Sequence, residues 1–438
     1  MSPGTSWNVI AWYLTNYLAM ASLVPFMPVI FTRHGLSEQA IGAISALSRW
    51  TNMPSAGIWS AVADRFQLHR VIVLFTFVVS AAVLVASSQL KSFKVIFGLT
   101  ILQQILGAPA YGSIIDAVVI ADIRSTGVGE YGKVRLWGAV GWGVSAMICG
   151  EILETVGLPG NVAFFCLSAA CSLALLPLLN YAAVWDEKKP AVDADELELA
   201  SLNPSRSEEA AEPRAAPTRT ALQALCDVDV IMVLLAALVM GYAVGHIENF
   251  LFIYLDGLGG TSLLMGISLT VTCVSETVVF YFAERIKSAL GTWGCLNLIF
   301  LAFILRMAAY TGLPHAPTLW LVLPVELLHG LTFGLAWSVG TGYFAAIAPK
   351  GTEATFQSFF QGAYFGVGYG LGGLFGGRVY GKYGPQVMFF EVASVVLVGW
   401  VLISIVRAVH FVVLRRSKAP IEPRVTRVEI SQSSVSDL

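Results

Sequence analysis

Residues 71–89 read VIVLFTFVVSAAVLVASSQ, nineteen positions without one charged side chain. At 1.5 Å of rise per residue a helix of that length spans about 28 Å, close to the ~30 Å hydrocarbon core of a bilayer. The run is too long for a buried strand and too apolar for an amphipathic surface helix. It decides the class of fold.

Working outward, runs of the same kind recur near 7–31, 40–63, 94–120, 134–157 and 161–184. A second set follows near 228–256, 262–284, 293–313, 318–347, 354–379 and 385–412. The composition agrees, since 56% of the chain is hydrophobic and only 12% is charged, whereas soluble domains hold roughly 25% charged residues. The expected fold is therefore an all-α membrane protein of twelve transmembrane helices in two six-helix halves. The first run begins at Trp7 and is too long for the core of a signal peptide, so it is expected to stay as a span. Between the sets lies 185–225, with Asp186, Glu187, Lys188, Lys189, Asp193, Asp195 and four prolines. Such a segment cannot bury a core and reads as a disordered cytosolic linker. The expected domains are an N-terminal half (1–184), the linker (185–225), a C-terminal half (226–414) and a cytosolic tail (415–438). Two six-helix units joined by a polar middle is the plan of repeated transporter halves.

Charge asymmetry orients the chain. Nineteen of the 26 Lys and Arg fall on the side that holds both termini, four fall on the other side, and three lie within spans. Both termini are expected to be cytosolic in a multi-pass integral membrane protein of the plasma membrane or an organelle membrane. A net charge of −2 offers nothing to nucleic acid. The six cysteines have no metal-ligand spacing and read as small buried hydrophobes. No HExxH, GxSxG or P-loop pattern occurs. Neither a catalytic residue, a metal nor a cofactor is expected, and the chain does not read as an enzyme.

A charge at mid-membrane costs at least a few kcal/mol, so each one calls for a partner or a task. Those within the runs are Arg49, Asp116, His246, Glu248, Glu276, Arg306, Glu326 and His329. Glu326 and His329 stand three apart and share one helix face. With Arg306 on the preceding span, they form either a proton-handling site or a structural ion pair that locks two helices. His246 and Glu248, two apart, point roughly 200° away from one another. At most one of them faces a central cavity squarely, and Glu248 is the expected one. Glu276, a lone acid flanked by Ser275 and Thr277, suits a solute ligand. Asp116 near the cytosolic end is expected to pair with Arg65, Arg124 or Lys133, while Arg49 either binds an anion or pairs with Asp116. Glu151, Glu154, Asp256, Glu284 and Arg378 fall at predicted helix ends and read as interfacial. Gly107-Ala-Pro109-Ala should open the fourth span. Glycines four apart on the eleventh (362/366, 368/372, 372/376) should permit close helix contact.

Several of these stretches resemble the lactose permease branch of the major facilitator superfamily and the related eukaryotic major-facilitator proteins with an associated domain. Pro25-Phe-Met-Pro28, SEQAIGAISAL (37–47), the loop Asp64-Arg65-Phe-Gln-Leu-His-Arg70 and above all Glu130-Tyr-Gly-Lys-Val-Arg135-Leu-Trp-Gly-Ala-Val-Gly-Trp142 carry the likeness. The resemblance implies that Arg135 binds sugar hydroxyls and that Trp142 stacks on a ring. It also implies that Glu276 is a sugar-binding acid and that Arg306 is the arginine of the ninth helix. There are departures. The family's galactoside-gripping acid falls on Gly112, and its His-then-Glu order on the tenth helix is exchanged in Glu326 and His329. The charge pair between its seventh and eleventh helices falls near Ile247 and Gln361. Spans nine to eleven are also similar to bacterial nucleoside–proton symporters.

Together these features point to a secondary active transporter, a proton-coupled symporter of a small polar solute of the sugar or nucleoside kind. The solute residues are Arg135, Trp142, Glu276 and Glu248, and the proton residues are Glu326, His329 and Arg306. A passive facilitator, or a transporter-like receptor or scaffold, is the alternative. The final Val-Ser436-Asp-Leu438 has the form bound by PDZ-type edge strands. A single cysteine placed in 190–220 of an otherwise cysteine-free chain should react with an impermeant maleimide only from the cytosolic side. Reaction in intact cells would overturn the orientation.

Overall fold

A computed structural model describes residues 7–107, 110–126, 130–183, 225–349 and 352–417. The expected linker, all but its last residue, lies outside the described residues, as do the tail from residue 418 with Ser436 and Leu438, and Ala108 and Pro109. Every regular element among the described residues is helical. The N-terminal half comprises α1 (Trp7–Leu23), α2 (Met27–Arg33), α3 (Glu38–Phe66), α4 (His69–Gln89), α5 (Phe93–Ile105), α6 (Ala110–Thr126), α7 (Tyr131–Thr155) and α8 (Leu158–Leu175). The C-terminal half comprises α9 (Val228–Gly257), α10 (Ser262–Gly312), α11 (Val322–Glu326), α12 (Ala336–Ile347), α13 (Glu353–Gln361), α14 (Tyr369–Tyr383) and α15 (Pro385–Ser417). Nine helices among the described residues are long and apolar enough to cross a bilayer. α3 and the stretch from α13 to α14 are as long as a span but outside that set. The number twelve rests on the six-plus-six plan.

Local sequence sets where the chain reverses. Ser37 caps α3 by accepting from the Ala40 amide (3.3 Å), and Thr261 caps α10 by accepting from Leu264 (3.1 Å). α10 holds 51 residues, about 76 Å of helix and more than two bilayer cores. Gly291, at φ 64° and ψ 175°, breaks it into two rods where the sequence reading placed a loop. α5 ends at Ile105 and a turn follows at Leu106 and Gly107, where Gly107 takes φ 74°, so the fourth span is broken there before α6 begins at Ala110.

The expected continuous helix over 318–347 is not what forms. A 3₁₀ turn (Leu319–Leu321) leads into α11, and a π-helical stretch (Gly330–Leu335) precedes α12. Ser275 of α10 is the cause. Its hydroxyl donates to the Leu327 carbonyl and accepts from the Gly330 amide at 3.1 Å, so a side chain enters the backbone ladder and holds it open. A second π-helical stretch, Gly362–Gly368, joins α13 to α14.

The halves meet at one end. Contacts across the interface run mainly between α3 and α14 and between α7 and the start of α10, with α9 against α2. Following the chain, these segments lie toward the end that carries the turns at 33–38, 155–158, 257–262 and 383–385 (the turn end). Among the described residues, α6, α12 and α13, nearer the end to which the linker attaches, make no extended contact across. The seal is backbone on backbone. A Cβ on Gly42 would lie 2.1 Å from the Gly373 carbonyl oxygen, and one on Gly266 would lie 2.2 Å from that of Ala146. Polar links add to it. Arg33 Nη2 donates to Asp256 Oδ1 (2.7 Å), Thr270 donates to the Gly143 carbonyl (2.8 Å), and Glu154 accepts from the Ser262 amide (2.8 Å). Two acids read from sequence as merely interfacial, Glu154 and Asp256, therefore tie the halves together. The Arg33–Asp256 pair is exposed enough that it contributes only about 0–1 kcal/mol, so shape complementarity carries the seal.

Gly42→Val should prevent this end from closing. With Ser45→Cys, beside Gly373, as reporter in a cysteine-free background, maleimide labelling should accelerate about tenfold if the substitution weakens the seal by about 1.4 kcal/mol. An unchanged rate would show that this contact does not hold the halves together.

Candidate functional site

Midway along the interface, charged and aromatic side chains from both halves converge. On the N-terminal side α7 carries Arg135 and Trp142 seven residues apart, two helical turns, so both face α1. The Arg135 guanidinium carbon lies 4.5 Å from the Tyr17 ring centroid and 5.5 Å from that of Tyr13. Trp142 meets the Tyr17 ring edge-on, with centroids 6.1 Å apart. Asp116 accepts from the Tyr13 hydroxyl at 2.5 Å and lies within electrostatic reach of Arg135. This corrects the expectation of a pairing with Arg65, Arg124 or Lys133. Asp116 faces inward on α6, and a tyrosine from α1 reaches it first.

On the C-terminal side α9 is buried at every position from Met240 to Leu255 except Glu248, whose side chain is 39% exposed. A carboxylate pointing out of an otherwise enclosed helix faces the space between the halves, as expected of Glu248. Across that space Arg49 Nη2 of α3 lies 3.6 Å from Glu248 Oε2, and its guanidinium sits 4.0 Å from the Tyr369 ring centroid. The expected pairing of Arg49 with Asp116 is thereby corrected, because its carboxylate partner comes from the opposite half. His246 turns away, buried against Gly372 and Gly376. It shares its surroundings with Glu391 of α15, whose Oε1 accepts from Tyr242 (2.7 Å) and whose Oε2 lies 3.8 Å from His246 Nε2.

Glu276 projects from the first rod of α10, 3.9 Å from His329 Nε2 and within electrostatic reach of Glu248 and Arg135. Behind His329 lies a buried cluster. Arg306, 1% exposed, donates through Nη2 to Glu326 Oε2 (2.9 Å) and through Nη1 to Thr332 (2.7 Å). Its Nη1 also lies 3.4 Å from His329 Nδ1. Tyr310, one turn on from Arg306, donates to Glu326, itself 3% exposed. Glu326 and His329 thus share a face, as their spacing indicated, and both meet Arg306. A chain of groups runs from Glu276, which borders the interface, through His329 and Arg306 to Glu326. Every member can accept, donate or stabilise a proton.

Rings line the same region. Phe333 stacks on His329 at 5.4 Å, Trp337 stacks on Phe333 at 6.2 Å, and Phe365 packs against Trp337 at 5.4 Å. Charge searching could not find Tyr13, Tyr17, Tyr310 or Tyr369, which are neutral. Glu391, a lone acid in FFEVASVVLV, obeyed the same charge rule as the others and was missed.

A family model described as "MFS_1 like family" matches residues 6–391. Among curated proteins the chain is similar to a maltose permease of Geobacillus stearothermophilus, 24% identical over 391 residues, covering 88% of this chain and 90% of that protein. It is also similar to a major facilitator superfamily domain-containing protein 6-like of Danio rerio, 28% identical over 40% of this chain and 31% of the relative. Among solved structures the nucleoside transporter NupG superposes with a TM-score of 0.72 at 16% identity, covering 91% of this chain and 97% of the other.

Proposed function

Because the chain belongs to the MFS_1 like family and is a membrane transporter of the major facilitator type, we propose that it is a proton-coupled symporter of a small, uncharged, hydroxyl-bearing solute. One observation carries this reading. The halves are sealed at the turn end and, among the described residues, make no extended contact toward the other, with the charged and aromatic groups of both halves gathered between. That is the geometry of alternating access around a central site. With both termini cytosolic, the sealed end is exoplasmic and the site faces inward.

Arg135, Glu276 and Glu248 supply a donor fork and two acceptors, and Trp142 with Tyr17 supplies a ring face. That set suits a sugar or nucleoside, whose hydroxyls need paired donors and acceptors and whose ring needs an apolar wall. A maltose permease and a nucleoside transporter among the similar proteins support the same solute class. The proton is handled by Glu326, His329 and Arg306. When His329 gains a proton it is repelled by Arg306 and drawn to Glu276, so solute contact at Glu276 and proton occupancy are linked through one imidazole.

Trp142→Ala should weaken solute binding by about tenfold or more, as expected for the loss of a stacking contact worth roughly 1–2 kcal/mol, while Trp142→Tyr should recover most of it. Equal affinities in isothermal titration for wild type, Ala and Tyr would return Trp142 to a membrane-interface anchor.

Glu326→Gln should stop uphill, pH-driven accumulation in proteoliposomes and leave solute–solute exchange largely intact. An amide keeps the carboxyl's shape but cannot ionise. Exchange needs only the loaded carrier to reorient, whereas net flux requires the proton site to empty. If the pair is purely structural, the same substitution strands the Arg306 cation, costs on the order of 3–5 kcal/mol and loses protein. Melting temperature and flux on one preparation separate these outcomes. A stable variant that accumulates solute with wild-type pH dependence removes Glu326 from coupling.

A further inference from the structure

Away from the central site, the second rod of α10 and the stretch of α15 from Trp400 to Phe411 line a groove of about 300 Å³, at the lower end of the roughly 300–1,000 Å³ of small-molecule sites. Phe300 and Trp400 stack across it with centroids 6.3 Å apart, and the Trp400 indole donates to Asn297 at 2.8 Å. At its mouth the Arg407 guanidinium lies 4.4 Å from the Trp293 ring centroid.

The setting of the groove selects its occupant. The outer face of α15 is an apolar stripe (Val398, Val401, Leu402, Ile405 and Val409, all exposed), as a helix bathed in acyl chains should be. Asn297, Ser404 and Arg407 interrupt that apolar surface, and all three line the groove. Arg407 lies 22 residues along α15 from Pro385, about 33 Å, so it stands at headgroup depth if the helix begins at the opposite surface. Trp400 and Phe300 lie about 10 Å deeper, at the level of the first methylenes. Among the described residues no carboxylate is in ion-pair distance of Arg407, and the chain continues with Arg415, Arg416 and Lys418. A guanidinium over an indole at the surface, above a polar notch and a pair of stacked rings, matches a phosphate above an acyl chain.

We propose that this groove binds one anionic glycerophospholipid from the leaflet at the linker end. Its phosphate sits on Arg407, its glycerol esters meet Ser404 and Asn297, and one chain lies along the edge of the stacked Phe300–Trp400 pair. With the linker end cytosolic, this is the leaflet that carries anionic lipid. The site is separate from the solute site, and the lipid it holds braces the second rod of α10, which carries Arg306, against α15.

The test uses the full chain, delipidated in detergent, titrated with phosphatidylglycerol, phosphatidylcholine or inorganic phosphate while the melting temperature is read. Phosphatidylglycerol should raise it with a midpoint about tenfold lower than phosphatidylcholine, and inorganic phosphate should have no effect. Arg407→Gln should melt like wild type without lipid and lose the preference for phosphatidylglycerol. Ser404→Trp, which fills the notch, should respond weakly to both lipids. If Ser404→Trp does not fold, Arg407→Gln with native mass spectrometry of retained lipid decides alone. Equal midpoints for the two lipids, an Arg407→Gln variant indistinguishable from wild type, or an equal response to inorganic phosphate would each overturn the proposal.

Discussion

Where Gly42 meets Gly373 and Gly266 meets Ala146, the halves touch through backbone alone, and the rest of the interface takes its register from those contacts. Helices in lipid gain nothing from hiding apolar side chains from one another, because the solvent is equally apolar. Close approach of small residues, with dispersion and weak polar contacts along the seam, is what holds them together. The rim links, Arg33–Asp256 and Glu154 to Ser262, add direction more than energy. A side chain at either glycine would hold the halves more than an ångström further apart, and Arg49 would no longer reach Glu248.

That register divides the charges into two kinds. Arg306 and Glu326 lie within one half, so any motion of one half against the other carries the pair along intact. Arg49 and Glu248 lie on opposite halves, and a separation of the halves must break them. Buried charges without partners are costly, so the first pair suits a fixed cluster. The second, at 3.6 Å and partly solvated, suits a contact made and lost. His329 stands where the two regions meet, with one ring nitrogen toward Arg306 and the other toward Glu276. The π-helical stretch beside it, kept open by Ser275, gives the chain around His329 a ladder that is already interrupted.

How much of this could be read from residues alone follows from the range of each force. Apolar runs of span length are a property of the chain itself, since lipid requires every backbone group to bond within its own segment. The helical fold and its apolar spans were therefore legible. So were Glu248, Glu276, Arg306, Glu326 and His329 as residues to question, because a charge in an apolar run is costly wherever it points. Glu391 was open to the same rule.

Partners were another matter. Asp116 found Tyr13, Arg49 found Glu248, and Asp256 found Arg33, each across more than a hundred residues of sequence. Helix periodicity says which side chains share a face, and nothing in a sequence says which face of another helix comes opposite. The broken tenth helix belongs to the same class, since its cause is a serine some fifty residues earlier. Sequence by itself determined the solvent, the helices and the cost of each buried charge. Only the tertiary structure decided which partner meets that cost, because pairing depends on the packing of helices that the sequence order leaves free.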